Sequence, residues 1–278
     1  MAMGKLEGKV AFITGAARGQ GRAHALRLAE EGADIIALDL CAQLPEVEYD
    51  LSTPDDLAHT VKLVEELGRR IVAGQADVRD EDAVEAVVAE GVASFGRLDI
   101  AIANAGLMPI TSERAEAMSA WHVAIDVMLT GVLHTIRASV PPMLEAGNGG
   151  SIVLTSSTAA LRPFSSPQTM TPGLAGYTAA KMGVVALTKF YAAGLAKQGI
   201  RVNCIHPTGV NSPMVANEAF FNWVMQHPEM GDALQNALDV PLVECEDIAN
   251  AAFWLISDEA RYVTGIQLPV DAGFNIKV

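Results

Sequence analysis

The chain has few cysteines, little positive charge and no long apolar run. Its three cysteines, Cys41, Cys204 and Cys245, are odd in number, far apart and form no CxxC pair, which argues against a disulfide framework or zinc cluster and fits a reducing cytoplasm. Nineteen basic residues stand against 33 acidic ones, for a net charge of −14. Long-range steering therefore repels nucleic acid and anionic membrane surfaces, and neither is expected as a partner. No stretch reaches about 18 consecutive apolar residues, and MAMGKLEGKVAFITG runs straight into a strand-like segment, so neither a membrane span nor an export signal is expected. The six histidines lack HExxH or other ligand spacing, and no metal is proposed.

Half of the 278 residues are apolar and 19% are charged, enough burial to offset the ordering entropy over most of the chain. Seven short runs read as strands: Lys9 to Thr14, Asp34 to Asp39, Arg70 to Ala73, Leu98 to Ala103, Ser151 to Ser156, Arg201 to Ile205 and Ile266 to Val270. Most are apolar at consecutive positions, as in VAFI and IAIA, the pattern of parallel strands covered on both faces. Helical segments lie between them. Thr53-Pro54 and Asp80 mark helix starts, Gly32 and Gly68 mark ends, and Ser119 is expected to cap a run from Trp121 to about Ala146 that Pro141-Pro142 should kink or break. Strand alternating with helix throughout predicts one α/β domain over 1–278, a Rossmann-type doubly wound, seven-stranded parallel sheet flanked by helices. Three segments are poor in periodic structure: 41–52 and 161–175, the latter holding Pro163, Pro167 and Pro172-Gly173, and a substrate-loop region near 207–242.

Directly after the first strand comes Thr14-Gly15-Ala16-Ala17-Arg18-Gly19-Gln20-Gly21, opening into a helical run. Glycines in that position let backbone approach a pyrophosphate, and the helix start offers unpaired amides and the positive end of a dipole. Asp39 ends the second strand, where a carboxylate accepts hydrogen bonds from ribose hydroxyls and repels a 2′-phosphate. The expected cofactor is NAD, not NADP.

With Asn104-Ala105-Gly106 after the fourth strand and Tyr177-Thr178-Ala179-Ala180-Lys181, the glycine turn completes a set of motifs that resembles the short-chain dehydrogenases and reductases. The resemblance runs from about Lys5 to Phe274. GKVAFITGAARGQGRAHALRLAEEGADIIALDLC, HPTGVNSPM and RYVTGIQLPVDAGF look like its mycofactocin-coupled, carveol dehydrogenase-like subfamily. The resemblance implies oxidation of secondary alcohols with tightly held NAD and a mycofactocin-type redox carrier as electron acceptor. It also implies a homotetramer that buries the apolar faces of the runs Trp121 to Ala146 and Gly176 to Lys197. Residue by residue, it places Arg18 and Gln20 along pyrophosphate and ribose, and Asp39 with Leu40, Asp77 and Val78 at the adenosine end. Asn104, with Ala105 and Gly106, falls near the adjacent ribose, and Val210 offers backbone to the nicotinamide amide.

Tyr177 and Lys181 are four residues apart and so share one helix face. A lysine ammonium and the oxidised nicotinamide are expected to lower the phenol from about 10 toward the working range, making Tyr177 the general acid/base. Ser157, the second serine of Ser156-Ser157, fits the position that hydrogen-bonds the reacting oxygen. Lys181 is also expected to hold the nicotinamide ribose. One residue departs from the family pattern: Met128 stands where an asparagine usually anchors a water that relays protons to the lysine, and a thioether cannot do so. A catalytically weak NAD-binding sensor or scaffold is therefore an alternative, as is an epimerase or dehydratase on the same scaffold. Met214, Phe220, Phe221, Trp223 and Met225 read either as core or as an apolar lid over a terpenoid-like alcohol.

Overall fold

Runs of consecutive apolar residues become interior parallel strands because both of their faces are covered. The computed structural model describes residues 4–277 apart from Ser112 and Pro163, so the expectation placed on Pro163 lies outside the described residues. Among the described residues, seven strands form one parallel sheet: β1 (Val10–Thr14), β2 (Asp34–Asp39), β3 (Ile71–Gln75), β4 (Ile100–Ala103), β5 (Gly150–Thr155), β6 (Ile200–Pro207) and β7 (Gln267–Val270). Their order is β3-β2-β1-β4-β5-β6-β7. The expected architecture is observed, with one refinement: β3 and β7, at the two edges, are only partly buried, whereas β1, β2 and β4 are buried at every position.

The helices are α1 (Gly19–Glu30), α2 (Pro54–Glu66), α3 (Glu81–Phe95), α4 (Met118–Ile125), α5 (Gly131–Ala146), α6 (Pro172–Leu195), α7 (Glu218–Gln226), α8 (Pro228–Ala233) and α9 (Cys245–Ile256). Two separate apolar cores cover the two faces of the sheet. One packs Phe12, Ile36, Val84, Met128, Ile152 and Val184; the other packs Ile13, Leu28, Ile35, Val153, Ile248 and Leu255. Local signals act as read at four boundaries. Thr53 forms a capping box with Asp56, Asp80 accepts from the Ala83 amide, and Gly32 and Gly68 adopt positive φ just past their helices.

Tertiary packing overrides the local reading elsewhere. Ser119 does not cap: α4 begins one residue earlier, at Met118, with Ala117 preceding it. Pro141 and Pro142 do not break α5, which continues to Ala146 although each lacks the N–H that would bond the carbonyl four residues earlier. A π-helical turn, Asp126–Thr130, joins α4 to α5, and the continuous segment Met118–Ala146 is apolar and long enough to cross a bilayer, yet more than half of its most apolar window is buried inside the protein. The excursion after β5 ends at Thr171, because Pro172 and Gly173 open α6 as its first residues with the Thr171 hydroxyl as cap. The region 207–242 is less irregular than expected, since it contains α7 and α8.

Candidate active site

The sheet order reverses direction between β1 and β4, and a groove opens there at the carboxyl ends of the strands, where ligands of doubly wound sheets bind. Gly15 has φ +68, and a Cβ on it would lie 2.9 Å from Ala105 Cα. A Cβ on Gly21 would lie 1.9 Å from the Gly15 carbonyl oxygen. Only glycine therefore lets the turn after β1 approach the loop after β4 this closely, and the first turn of α1 approach that same turn. Thr14 Oγ1 accepts from the amides of Asn104 (3.1 Å) and Ala105 (3.2 Å), and Asn104 Nδ2 donates to the carbonyls of Thr14 (3.0 Å) and Gly15 (3.3 Å). The Asn104 amide thus braces the two loops against each other.

Twelve residues predicted for the cofactor line this groove: Gly15, Arg18, Gly19, Gln20, Gly21, Asp39, Leu40, Asp77, Val78, Asn104, Ala105 and Gly106. Gln20 Oε1 is buried there without a hydrogen-bond partner among the described residues. An orphaned acceptor beside a glycine-built cradle is what a dinucleotide with its own donors would satisfy. Asp39 Oδ2 accepts from the Ala17 amide (2.8 Å), and Oδ1 accepts from the Cys41 amide (3.2 Å) and the Ser52 hydroxyl (2.5 Å). Oδ1 also accepts from the Cys41 thiol (3.9 Å), whereas Oδ2 accepts only from the Ala17 amide among the described residues, so Oδ2 keeps capacity for a ribose hydroxyl while Asp39 is fixed in place. The Asp77 carboxylate is engaged by the Arg79 guanidinium, which holds it below the usual carboxylate range against the opposing effect of burial.

The insertion 41–52 forms one wall of the groove. Gln43 Nε2 donates to the carbonyls of Val47 (2.8 Å) and Tyr49 (3.3 Å), Gln43 Oε1 accepts from the Leu51 amide (2.9 Å), and Leu44, Val47 and Tyr49 are buried in the core. Arg18 reaches out of the glycine turn to the Asp50 carbonyl. Tyr49 and Ser52 line the groove, yet sequence reasoning singled out neither; the insertion itself was the only signal, because a lone tyrosine or serine has no spacing that advertises its partner.

Ser157, Tyr177 and Lys181 come together at the end of β5 under α6. The Ser156 hydroxyl donates to the Lys181 carbonyl (2.8 Å), which ties strand to helix and leaves Ser157 as the serine of the pair that acts on the Tyr177 phenol, pulling it down. Lys181 Nζ donates to the Thr155 carbonyl (2.9 Å) and lies 5.9 Å from the centre of the Tyr177 ring. Burial pushes the ammonium down to about 8. The Tyr177 phenol departs from expectation. Burial raises it above its ordinary value, and the opposing pull comes from the Ser157 hydrogen bond. Desolvating a phenolate costs more here than the Ser157 hydroxyl returns.

Met128 is fully buried on the π-helical turn. Its Cγ and Lys181 Nζ each lie 3.7 Å from the point that a Cβ on Gly106 would occupy, so the methionine and lysine side chains border the same glycine. Val210 is buried, and pairs with Val243 through the amide of Asn211 and the carbonyl of Gly209. In the substrate-loop region Trp223 is buried and stacks on Phe220 (6.1 Å, 21° between planes), whereas Phe221 and Met225 are exposed. The cluster is therefore part core and part surface.

Comparison with known proteins follows this geometry. The family described as Enoyl-(Acyl carrier protein) reductase matches residues 15–275. A putative short-chain type dehydrogenase/reductase of Mycolicibacterium smegmatis is 49% identical over 99% of both chains. The (−)-trans-carveol dehydrogenase of Rhodococcus erythropolis is 45% identical over 99% of this chain and 100% of its own length. The crystal structure of a carveol dehydrogenase from Mycobacterium avium in complex with NAD superposes with a TM-score of 0.91 at 47% identity, covering 99% of this chain and 100% of that one.

Proposed function

Since the chain belongs to the short-chain dehydrogenase/reductase family, we propose that it is an NAD-dependent dehydrogenase interconverting a hydrophobic secondary alcohol and its ketone. The observation that carries the reading is the meeting of Ser157, Tyr177 and Lys181 beside a glycine-built groove that holds an orphaned acceptor at Gln20. The carveol dehydrogenase relatives, one of them crystallised with NAD, support the cofactor and the alcohol class. A mycofactocin-type carrier as electron acceptor and a homotetramer belong to the same reading; Met182 and Phe190, exposed on α6, would lie in the interface.

Gly15, Gly19 and Gly21 would admit the pyrophosphate, Asp39 the adenosine ribose, and Lys181 the nicotinamide ribose. When bound, the oxidised nicotinamide supplies the acceptor for the hydride leaving the carbinol carbon. Tyr177 Oη takes the alcohol proton. Ser157 Oγ accepts from the Ala159 amide (3.2 Å), which turns its own proton toward the phenol and the substrate oxygen. Lys181, ammonium at neutral pH with its conjugate acid at about 8, places positive charge beside the phenolate. Ser157 and Lys181 are buried and Tyr177 is half-buried, which keeps most bulk water away and strengthens these interactions. Asp39 adds cofactor choice, since its charge opposes a 2′-phosphate by up to about 4 kcal/mol at close range.

The test is direct: denature the purified protein, identify the released nucleotide, and follow oxidation of secondary alcohols with an artificial electron acceptor. Tyr177→Phe is expected to retain nucleotide and lose about 10²- to 10⁴-fold in rate, the usual contribution of a positioned acid/base. Full turnover by Tyr177→Phe on a proven substrate would refute the assignment. Met128 favours a second reading, a cofactor-binding protein with weak chemistry, and the same assay separates it: NAD released, no alcohol oxidised.

A further inference from the structure

Beneath Ser157 lie two buried side chains of β6 that the reaction does not otherwise use. Cys204 and His206 are two residues apart on one strand, so they face the same side of the sheet, and both are 0% exposed. His206 Nδ1 lies 2.8 Å from the Ser157 carbonyl oxygen. A carbonyl only accepts, so Nδ1 carries the proton and Nε2 is bare. Nε2 in turn lies 3.0 Å from Cys204 Sγ, and the thiol donates to it. Burial lowers the imidazole's basicity and pushes the Cys204 thiol up to about 11, so both groups are neutral at working pH. The Ser157 carbonyl also accepts from the Ala160 amide (3.0 Å). Both of its acceptor directions are then filled at the residue where β5 gives way to the 3-10 turn Thr158–Ala160. Pro207 follows His206 and restricts it to extended backbone, which fixes the platform from the other side.

We propose that His206, backed by Cys204, is a positioning residue for the dehydrogenase: it clamps the Ser157 backbone so that the serine hydroxyl meets the reacting oxygen. The inference rests on the function proposed above. Neither residue touches substrate or cofactor; the pair acts through Ser157. Displacement of a positioned group by about 1 Å costs on the order of a hundredfold in rate, so partial release of Ser157 is expected to cost about tenfold or more.

The experiment is a double-mutant cycle on the intact protein: His206→Ala, His206→Asn and Cys204→Ala, each alone and combined with Ser157→Ala. The readouts are kcat and KM on a secondary alcohol that the wild type oxidises, together with bound nucleotide and Tm. Asn presents a side-chain N–H near the Nδ1 position and serves as the conservative rescue. Expected are a kcat lowered about tenfold or more in His206→Ala with KM and nucleotide content unchanged, substantial recovery in His206→Asn, and no further loss when Ser157→Ala is already present. An unchanged kcat, an equal loss in the Ser157→Ala background, or a loss that tracks nucleotide content would overturn the proposal. Should His206→Ala fail to fold, Cys204→Ala and His206→Asn complete the same cycle. If the wild type oxidises no alcohol, the dehydrogenase reading fails on its own; a crystal structure of His206→Ala, or of Cys204→Ala should His206→Ala not fold, with Ser157 unmoved then defeats the clamp, and a displaced Ser157 upholds it.

Discussion

Acid should weaken this protein through His24. The residue sits in α1, is 1% exposed, and neither ring nitrogen has a hydrogen-bond partner among the described residues. Burial holds its conjugate acid down to about 4, from 6.5. The sign follows from proton uptake: between those values the unfolded chain binds a proton that the folded chain refuses, so stability is complete above pH 6.5 and falls as pH drops toward 4. A gap of this size corresponds to about 2 kcal/mol lost at pH 5 and about 3 kcal/mol below pH 4. His24→Leu keeps an apolar side chain of similar bulk and removes both orphan nitrogens. Urea denaturation of wild type and variant at pH 7.5 and pH 5 isolates the effect, because His206 and the carboxylates titrate in both proteins and cancel. The variant is expected to gain on the wild type by about 2 kcal/mol between the two pH values. Parallel pH dependence in the two proteins would mean that His24 is hydrated or paired in solution, and the reasoning would fail.

Two further outcomes follow from the groove. Asp39→Asn removes the charge that opposes a 2′-phosphate and keeps one acceptor oxygen, for either the Ala17 or the Cys41 amide, which bond different carboxylate oxygens in the wild type. The preference for NAD over NADP, measured as a ratio of dissociation constants, should fall by up to about a thousandfold; an unchanged ratio would place discrimination elsewhere. Met128→Asn puts a hydrogen-bonding group into the space shared with Lys181 and Gly106. It should raise kcat if proton transfer from the lysine limits turnover, and a rate equal to wild type would show that the protons leave by another route.

Much of the site could be read before folding because its signals are local. A glycine turn between strand and helix, an acid at the end of the next strand, and a tyrosine four residues before a lysine each depend on short-range geometry, and the structure brings the twelve groove residues and the Ser157–Tyr177–Lys181 group where those signals point. The direction of the Tyr177 phenol was less legible: in the protein by itself burial raises it, and the expected lowering also draws on the oxidised nicotinamide. Spacing put Lys181 one helical turn from Tyr177, but the phenol's surroundings are set by burial and by Ser157, both consequences of packing.

What the amino-acid order determined by itself was the alternation of buried strand and amphipathic helix, the caps at Thr53 and Asp80, and the turn conformations only glycine can take. The tertiary structure alone decided that Ser52 reaches back to Asp39, that the Ser156 hydroxyl ties β5 to α6 through the Lys181 carbonyl, and that His206 Nδ1 meets the Ser157 carbonyl. Periodicity and capping act over a few residues and are written in the chain. Contacts between residues 13 to 49 positions apart exist only once β5, β6, α6 and the insertion after β2 are packed together.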